Sequence, residues 1–142
     1  MSRSLLYVLI AAGAAGLWSV LLSRASKFVH PLVGTGLVEV TALTVVLVLV
    51  MRQRVDLSTA LTPLGAGLLV LCGLCVFAVD YFSLRAYEMG VEVSVGAPMI
   101  SAGAILVPTV AGIALGEGVS VPKVLGIGLI GAGVLLLTRF SG

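Results

Sequence analysis

Five long apolar segments follow one another with almost nothing between them, and this constrains the chain more than any other feature. They run Ser4–Leu22, Pro31–Met51, Leu64–Ala86, Ser94–Leu115 and Ser120–Thr138. A bilayer core needs about 20 mostly apolar residues per helix, and each segment meets that length. The connections, Ser23–His30, Arg52–Pro63, Tyr87–Val93 and Gly116–Val119, are too short to fold independently. The expectation is therefore an all-α polytopic membrane protein: one transmembrane domain over residues 1–142, with no soluble domain and no linker. Only 10% of the residues are charged, against about 25% in a soluble domain, so most of the outer surface must meet hydrocarbon. Ser4–Leu22 has the leading Arg3 and the small residues of a signal peptide. Its apolar run continues through Trp18 and is followed by four more, so it reads as the first span.

The chemistry of the breaks fits this division. Arg24 and Lys27 close the first span, and His30-Pro31 opens the second. Pro63 and Pro122 sit near helix starts, where a missing N–H costs little. Glu117 precedes the last span and Ser120 is its expected N-cap, a structural role in that turn. An odd number of spans puts the two termini on opposite sides of the membrane. Arg3, Arg52, Arg54 and Lys123 then fall on one side, and Arg24, Lys27, Arg85 and Arg139 on the other. Orientation normally follows an excess of Lys and Arg on the cytoplasmic side, and here the two sides balance. Either a dominant end or a partner fixes the orientation, or the chain inserts both ways and pairs as an antiparallel homodimer.

Two acids lie inside spans, Glu39 in the second and Asp80 in the third. A charge at mid-helix costs at least about 2.5–3.5 kcal/mol on insertion scales, which makes intramembrane acids functional candidates. Glu39 is eight residues past Pro31 and Asp80 six before Ala86. At 1.5 Å per residue they lie roughly 12 and 9 Å from one membrane face, close enough to be neighbours and to carry a proton through a transport cycle. Bland roles are a Glu39–Thr35 bond one turn back, or an Asp80–Arg85 pair. The five-residue offset of the latter places its members on different helix faces. Asp80, Ser83 and Tyr87 share a face at i, i+3, i+7 spacing, as do Ser94, Pro98, Ser101 and Pro108 in the fourth span. With Trp18 and Tyr81, which also suit a membrane interface, these residues suggest a small-molecule cleft. The candidate substrate- or proton-binding set is Asp80, Glu39, Tyr81, Ser83, Ser101 and Trp18.

Several motifs carry less than they promise. Cys72-Gly-Leu-Cys75 has redox spacing but lies at lipid depth, outside any thioredoxin-like unit. Gly126-Ile-Gly-Leu-Ile-Gly131 imitates a dinucleotide fingerprint without a preceding strand. Gly128 and Ala132, four residues apart, instead offer the spacing that lets membrane helices approach closely, and they are the expected dimer contact. No nucleophile–base pair, phosphate loop or metal cluster is legible, so neither an enzyme nor a cofactor or metal is read. The eight scattered basic residues form no nucleic-acid footprint.

The second half of the chain carries a longer pattern. Tyr81-Phe-Ser-Leu-Arg-Ala86, Gly90, Ser94 and Ala97-Pro98 lead to Leu115-Gly116-Glu117, then Gly126, Gly131, Gly133 and Val134–Arg139. This resembles the EamA-type module of the drug/metabolite transporter superfamily, and Gly16-Leu-Trp18-Ser19 resembles that module's start. The resemblance implies a transporter fold of which most members carry two such modules in inverted topology, whereas this chain carries one. Inverted repeats build the two interconverting halves of many transporters, so a second, inverted copy is the expected partner. A more distant resemblance, to the four-helix small multidrug exporters, lacks their first-helix carboxylate, because Ser4–Leu22 contains no acid. The expected function is a secondary transporter, an exporter of a small polar or amphipathic metabolite acting as a homodimer in a bacterial inner membrane. The alternatives are a flippase subunit for a lipid-linked headgroup and a non-transporting membrane subunit. With a two-fold axis in the midplane, Glu39 and Asp80 would lie about 3–6 Å off centre, facing their symmetry mates.

Overall fold

The computed structural model describes residues 3–54, 62–116, 118 and 120–140, and the turn residue Glu117 lies outside them. Among the described residues five helices follow one another: α1 Arg3–Ala25, α2 Pro31–Gln53, α3 Pro63–Glu88, α4 Val93–Ala114 and α5 Val121–Phe140. No strand occurs among the described residues. Four stretches are long and apolar enough to cross a bilayer, namely Leu6–Ala25, Pro31–Gln53, Pro63–Glu88 and Val93–Ala114, and α5 carries the apolar stretch Val124–Leu136. This is an integral membrane protein. The sequence spans and the helices agree to within three residues at each end. At the end of α3 two further residues reach Glu88 and bring Tyr87 into the helix.

Local chemistry explains where the helices stop and start. His30 caps α2, its Nδ1 accepting from Leu32 N at 3.3 Å, and Pro31 takes the position where no N–H is needed. Thr62 caps α3 in the same way, its Oγ1 accepting from Gly65 N at 3.1 Å. At the other end of α3 the Arg85 guanidinium pairs with Glu88 one turn on. The chain then leaves through Gly90 at φ +97°, whose N–H bonds Tyr87 O. Gly116 ends α4 similarly at φ +88°, donating to Ile113 O. A side chain at either position would strain a left-handed backbone that glycine adopts freely. Ser120 O accepts the first bond of α5 from Val124 N, in keeping with Ser120 as the residue before that helix.

The chain divides into two compact units. One comprises residues 1–20 and 91–142 and is built on the α4–α5 hairpin. In it Gly96, Ala102 and Gly112 are the buried residues of α4, which also contains Pro98 and Pro108 within its length. A groove of about 220 Å³ runs between the end of α4 and the start of α5, lined by Leu106, Thr109, Val110, Ile113, Val124 and Ile127.

The other unit, residues 21–90, is built on the α2–α3 hairpin. Its two helices approach closely at Gly34. A Cβ placed there would lie 2.9 Å from Leu84 Cδ1, so α3 packs a leucine directly against the α2 backbone. Leu84 is only 1% exposed. Small residues at helix contacts are what let membrane helices come this close, since lipid offers no hydrophobic drive to hold them together.

Candidate functional site

The Gly34–Leu84 contact fixes the register of the antiparallel α2–α3 pair. Each step up α2 is matched by a step down α3. Thr35 therefore comes level with Ser83, Pro31 with Tyr87, and Glu39 with Val79, one residue from Asp80. Glu39 and Asp80 thus fall in the same part of the hairpin. On α3 the face at i, i+3, i+7 is the buried one: Asp80 is 3% exposed, Ser83 is buried and Tyr87 is 5% exposed. On α2 the buried residues are Pro31 and Thr35, with Glu39 half-buried one turn beyond Thr35. The hairpin thus gathers two carboxylates and three hydroxyls at its seam.

Partners within this seam are unusual. Helix hydroxyls normally turn back to a carbonyl one turn earlier. Ser19, Thr41, Thr44 and Thr109 do so, donating to Ala15, Leu37, Val40 and Ile105 O at 3.2, 2.7, 2.8 and 2.6 Å. Thr35, fully buried, does not. Thr35 Oγ1, Glu39 Oε1 and Tyr87 OH are the buried side-chain oxygens without a hydrogen-bond partner among the described residues. The Glu39–Thr35 bond considered from the sequence is therefore not formed. Arg85 pairs with Glu88 and is exposed, so its guanidinium is engaged at the surface.

The remaining sequence candidates fall in varied settings. Tyr81 is half-buried in a small aromatic group, stacked on Phe77 with ring centroids 6.0 Å apart and edge-on to Phe82 at 5.3 Å. Trp18, half-buried on α1, and Ser101, exposed on α4, belong to the other unit. The face Ser94, Pro98, Ser101, Pro108 is largely exposed, with only Pro98 half-buried. Ser94 Oγ donates instead to Glu92 Oε2 at 3.3 Å, beside the helix start. Gly128 and Ala132 are exposed on α5, and a Cβ at Gly128 would meet nothing within 4 Å. Cys72 and Cys75 are free and exposed on α3. The described residues contain no group of His, Cys, Asp and Glu arranged to hold a metal ion.

Sequence reasoning underrated Gly34, Thr35 and Tyr87. Tyr87 shares the face of Asp80 and Ser83 but falls in a connection on hydropathy alone, and Thr35 has no sequence signal beyond its place one turn before Glu39. The signal for Gly34 was its place one residue before Thr35 and five before an intramembrane acid. A close approach there was readable only with its partner, Leu84, in hand.

The family model for EamA-like transporters matches residues 2–139. The chain belongs to the EamA-like transporter family. The match covers nearly the whole chain, and the five helices are those of a single EamA-type module. Membership makes a general transporter role, a small-molecule substrate and a lipid environment properties of this protein. No curated protein and no solved structure matches the chain.

Proposed function

We propose that this EamA-like chain is a secondary transporter that exports a small polar or amphipathic metabolite, with the α2–α3 seam as its coupling site. The observation that carries this reading is the burial of Asp80, on the same hairpin as Glu39, inside helices long and apolar enough to cross a bilayer. Carboxylates are kept there at substantial cost. Acids at that depth are candidates for exchanging a proton or cation with the substrate, and such an exchange is the step we propose drives the cycle. Ser83 and Tyr81 shape the same wall. Trp18 and Ser101 are proposed as further contributors to substrate binding.

A single module supplies half of an alternating-access machine. The partner we propose is a second copy of the chain, inverted, so that the two modules form the inverted repeat that many transporters carry in one polypeptide. The balance of basic residues between the two sides supports dual insertion, and Gly128 and Ala132, exposed on α5, are the contact we propose. Each copy is proposed to act as one transmembrane domain in a bacterial inner membrane.

The test is reconstitution of the full chain in vesicles and measurement of efflux of small amines and amphipathic metabolites across a range of pH. Asp80→Asn and Glu39→Gln are expected to abolish transport or remove its pH dependence. Unchanged transport with unchanged pH dependence in both variants would refute the coupling role.

A further inference from the structure

We propose that Thr35 Oγ1, Glu39 Oε1 and Tyr87 OH form a binding subsite for a primary ammonium group, so that the transported molecule is an amine. This deepens the transporter reading and rests on it for the word transported; the binding itself does not. The three atoms are buried and unpartnered, and Thr35 and Tyr87 are 0% and 5% exposed. A buried polar atom without a partner is destabilising, and three on one helix hairpin mark a place where hydrogen-bond donors belong.

The register brings them together. Side chains on a helix lean toward its N-terminus. Glu39 on α2 therefore leans toward Thr35, about 6 Å away along the axis. Tyr87, on the antiparallel α3, leans toward Ser83, which is level with Thr35. Both long side chains thus reach toward the Thr35 level from opposite directions. The three unpartnered oxygens there meet the three N–H donors of an ammonium group.

Charge points the same way. Glu39 is the charged residue that contributes one of the three oxygens. Arg85 is held by Glu88 outside it, while Arg24 and Lys27 are exposed around the α1–α2 turn. A carboxylate away from water needs a cation or strong donors for compensation. Because none of the three oxygens is open to solvent, this conformation is closed over the subsite. Entry requires α2 and α3 to part, and Gly34 against Leu84 is the contact that opening must loosen.

The experiment is equilibrium dialysis of the purified full chain in detergent against radiolabelled n-butylammonium, with n-butanol and sodium chloride as competitors. Saturable binding is expected, displaced by unlabelled n-butylammonium and not by either competitor. Thr35→Val and Tyr87→Phe should each weaken it about tenfold, the loss of one hydrogen bond to a charged group, and Thr35→Ser should leave it near the original affinity. Both variants remove an unpartnered hydroxyl, and size-exclusion profiles test whether they fold. If one variant does not fold, the other and the competitor series still decide. Absence of saturable binding, equal displacement by butanol or sodium, or full affinity in every folded variant would overturn the proposal. Binding that behaves as expected in a chain that moves no amine across vesicles would refute the transporter reading and leave the subsite standing.

Discussion

Replacing Gly34 by alanine should change sign with the residue facing it. An added Cβ would lie 2.9 Å from Leu84 Cδ1 and 3.6 Å from Val29 Cγ1. The second distance is ordinary contact; the first is not. Leu84 must withdraw by about 0.9 Å to restore a carbon–carbon separation near 3.8 Å, and at 1% exposure it has little room to do so. Overpacking of this kind costs about 1–3 kcal/mol, whereas alanine in place of glycine within a helix contributes about 1 kcal/mol. The expected net effect of Gly34→Ala is destabilisation by about 1 kcal/mol. In a Leu84→Ala background the obstructing methyl is gone and only the propensity remains, so the same change should stabilise by about 1 kcal/mol. The coupling between the two sites is then about 2 kcal/mol, well within the range for residues in contact. Unfolding of the full chain in mixed micelles by stepwise addition of a denaturing detergent, followed by circular dichroism, measures all four corners of the cycle. An effect of Gly34→Ala with one sign and one size in both backgrounds would show that the α2–α3 seam is not closed on this pair.

Other expectations are simpler to state. Gly90→Ala forces a methyl-bearing residue to φ +97° and should destabilise by about 1–2 kcal/mol, read in the same unfolding assay; no loss would mean that the turn relaxes. Thr62→Ala removes the cap on Gly65 N and should cost about 1 kcal/mol, with Thr62→Ser recovering most of it. Leucine at Gly128 or Ala132 should reduce the yield of cross-linked dimer in membranes, and an unchanged yield would remove α5 from the proposed contact. A cysteine appended to the carboxyl terminus should react with impermeant reagents added from either side of the membrane if the chain inserts both ways. Reaction from one side alone would exclude a dimer made of two inverted copies.

The helices were largely legible because hydropathy at bilayer scale is a property of long windows, indifferent to tertiary detail. The buried face of α3 was legible as well: Asp80, Ser83 and Tyr87 recur at helical spacing, and polar residues that recur so at membrane depth turn away from lipid. The end of α3 was not. It depends on Arg85 reaching Glu88 and on Gly90 adopting a left-handed turn, and these move the boundary past Tyr87. Gly34 was illegible for another reason. Its importance lies in Leu84 of a different helix, and no periodicity within one segment reports on the segment opposite. On α4 the spacing places Ser94, Pro98, Ser101 and Pro108 on one face, and most of that face is exposed. Helical periodicity identifies residues that share a face without specifying what the face meets.

The two prolines of α4 give that helix a mechanical property. Pro98 and Pro108 cannot donate to the carbonyls of Ser94 and Ala104, so two rungs of the hydrogen-bond ladder are missing. They are ten residues, or about 15 Å, apart along the axis, roughly half the thickness of the hydrocarbon core. The rod is thus divided into three short segments joined by compliant points, one nearer each end. Such a rod can tilt one end while the other holds its angle, at less cost than bending an unbroken helix. Substitution of either proline by alanine would stiffen one joint and leave the other free.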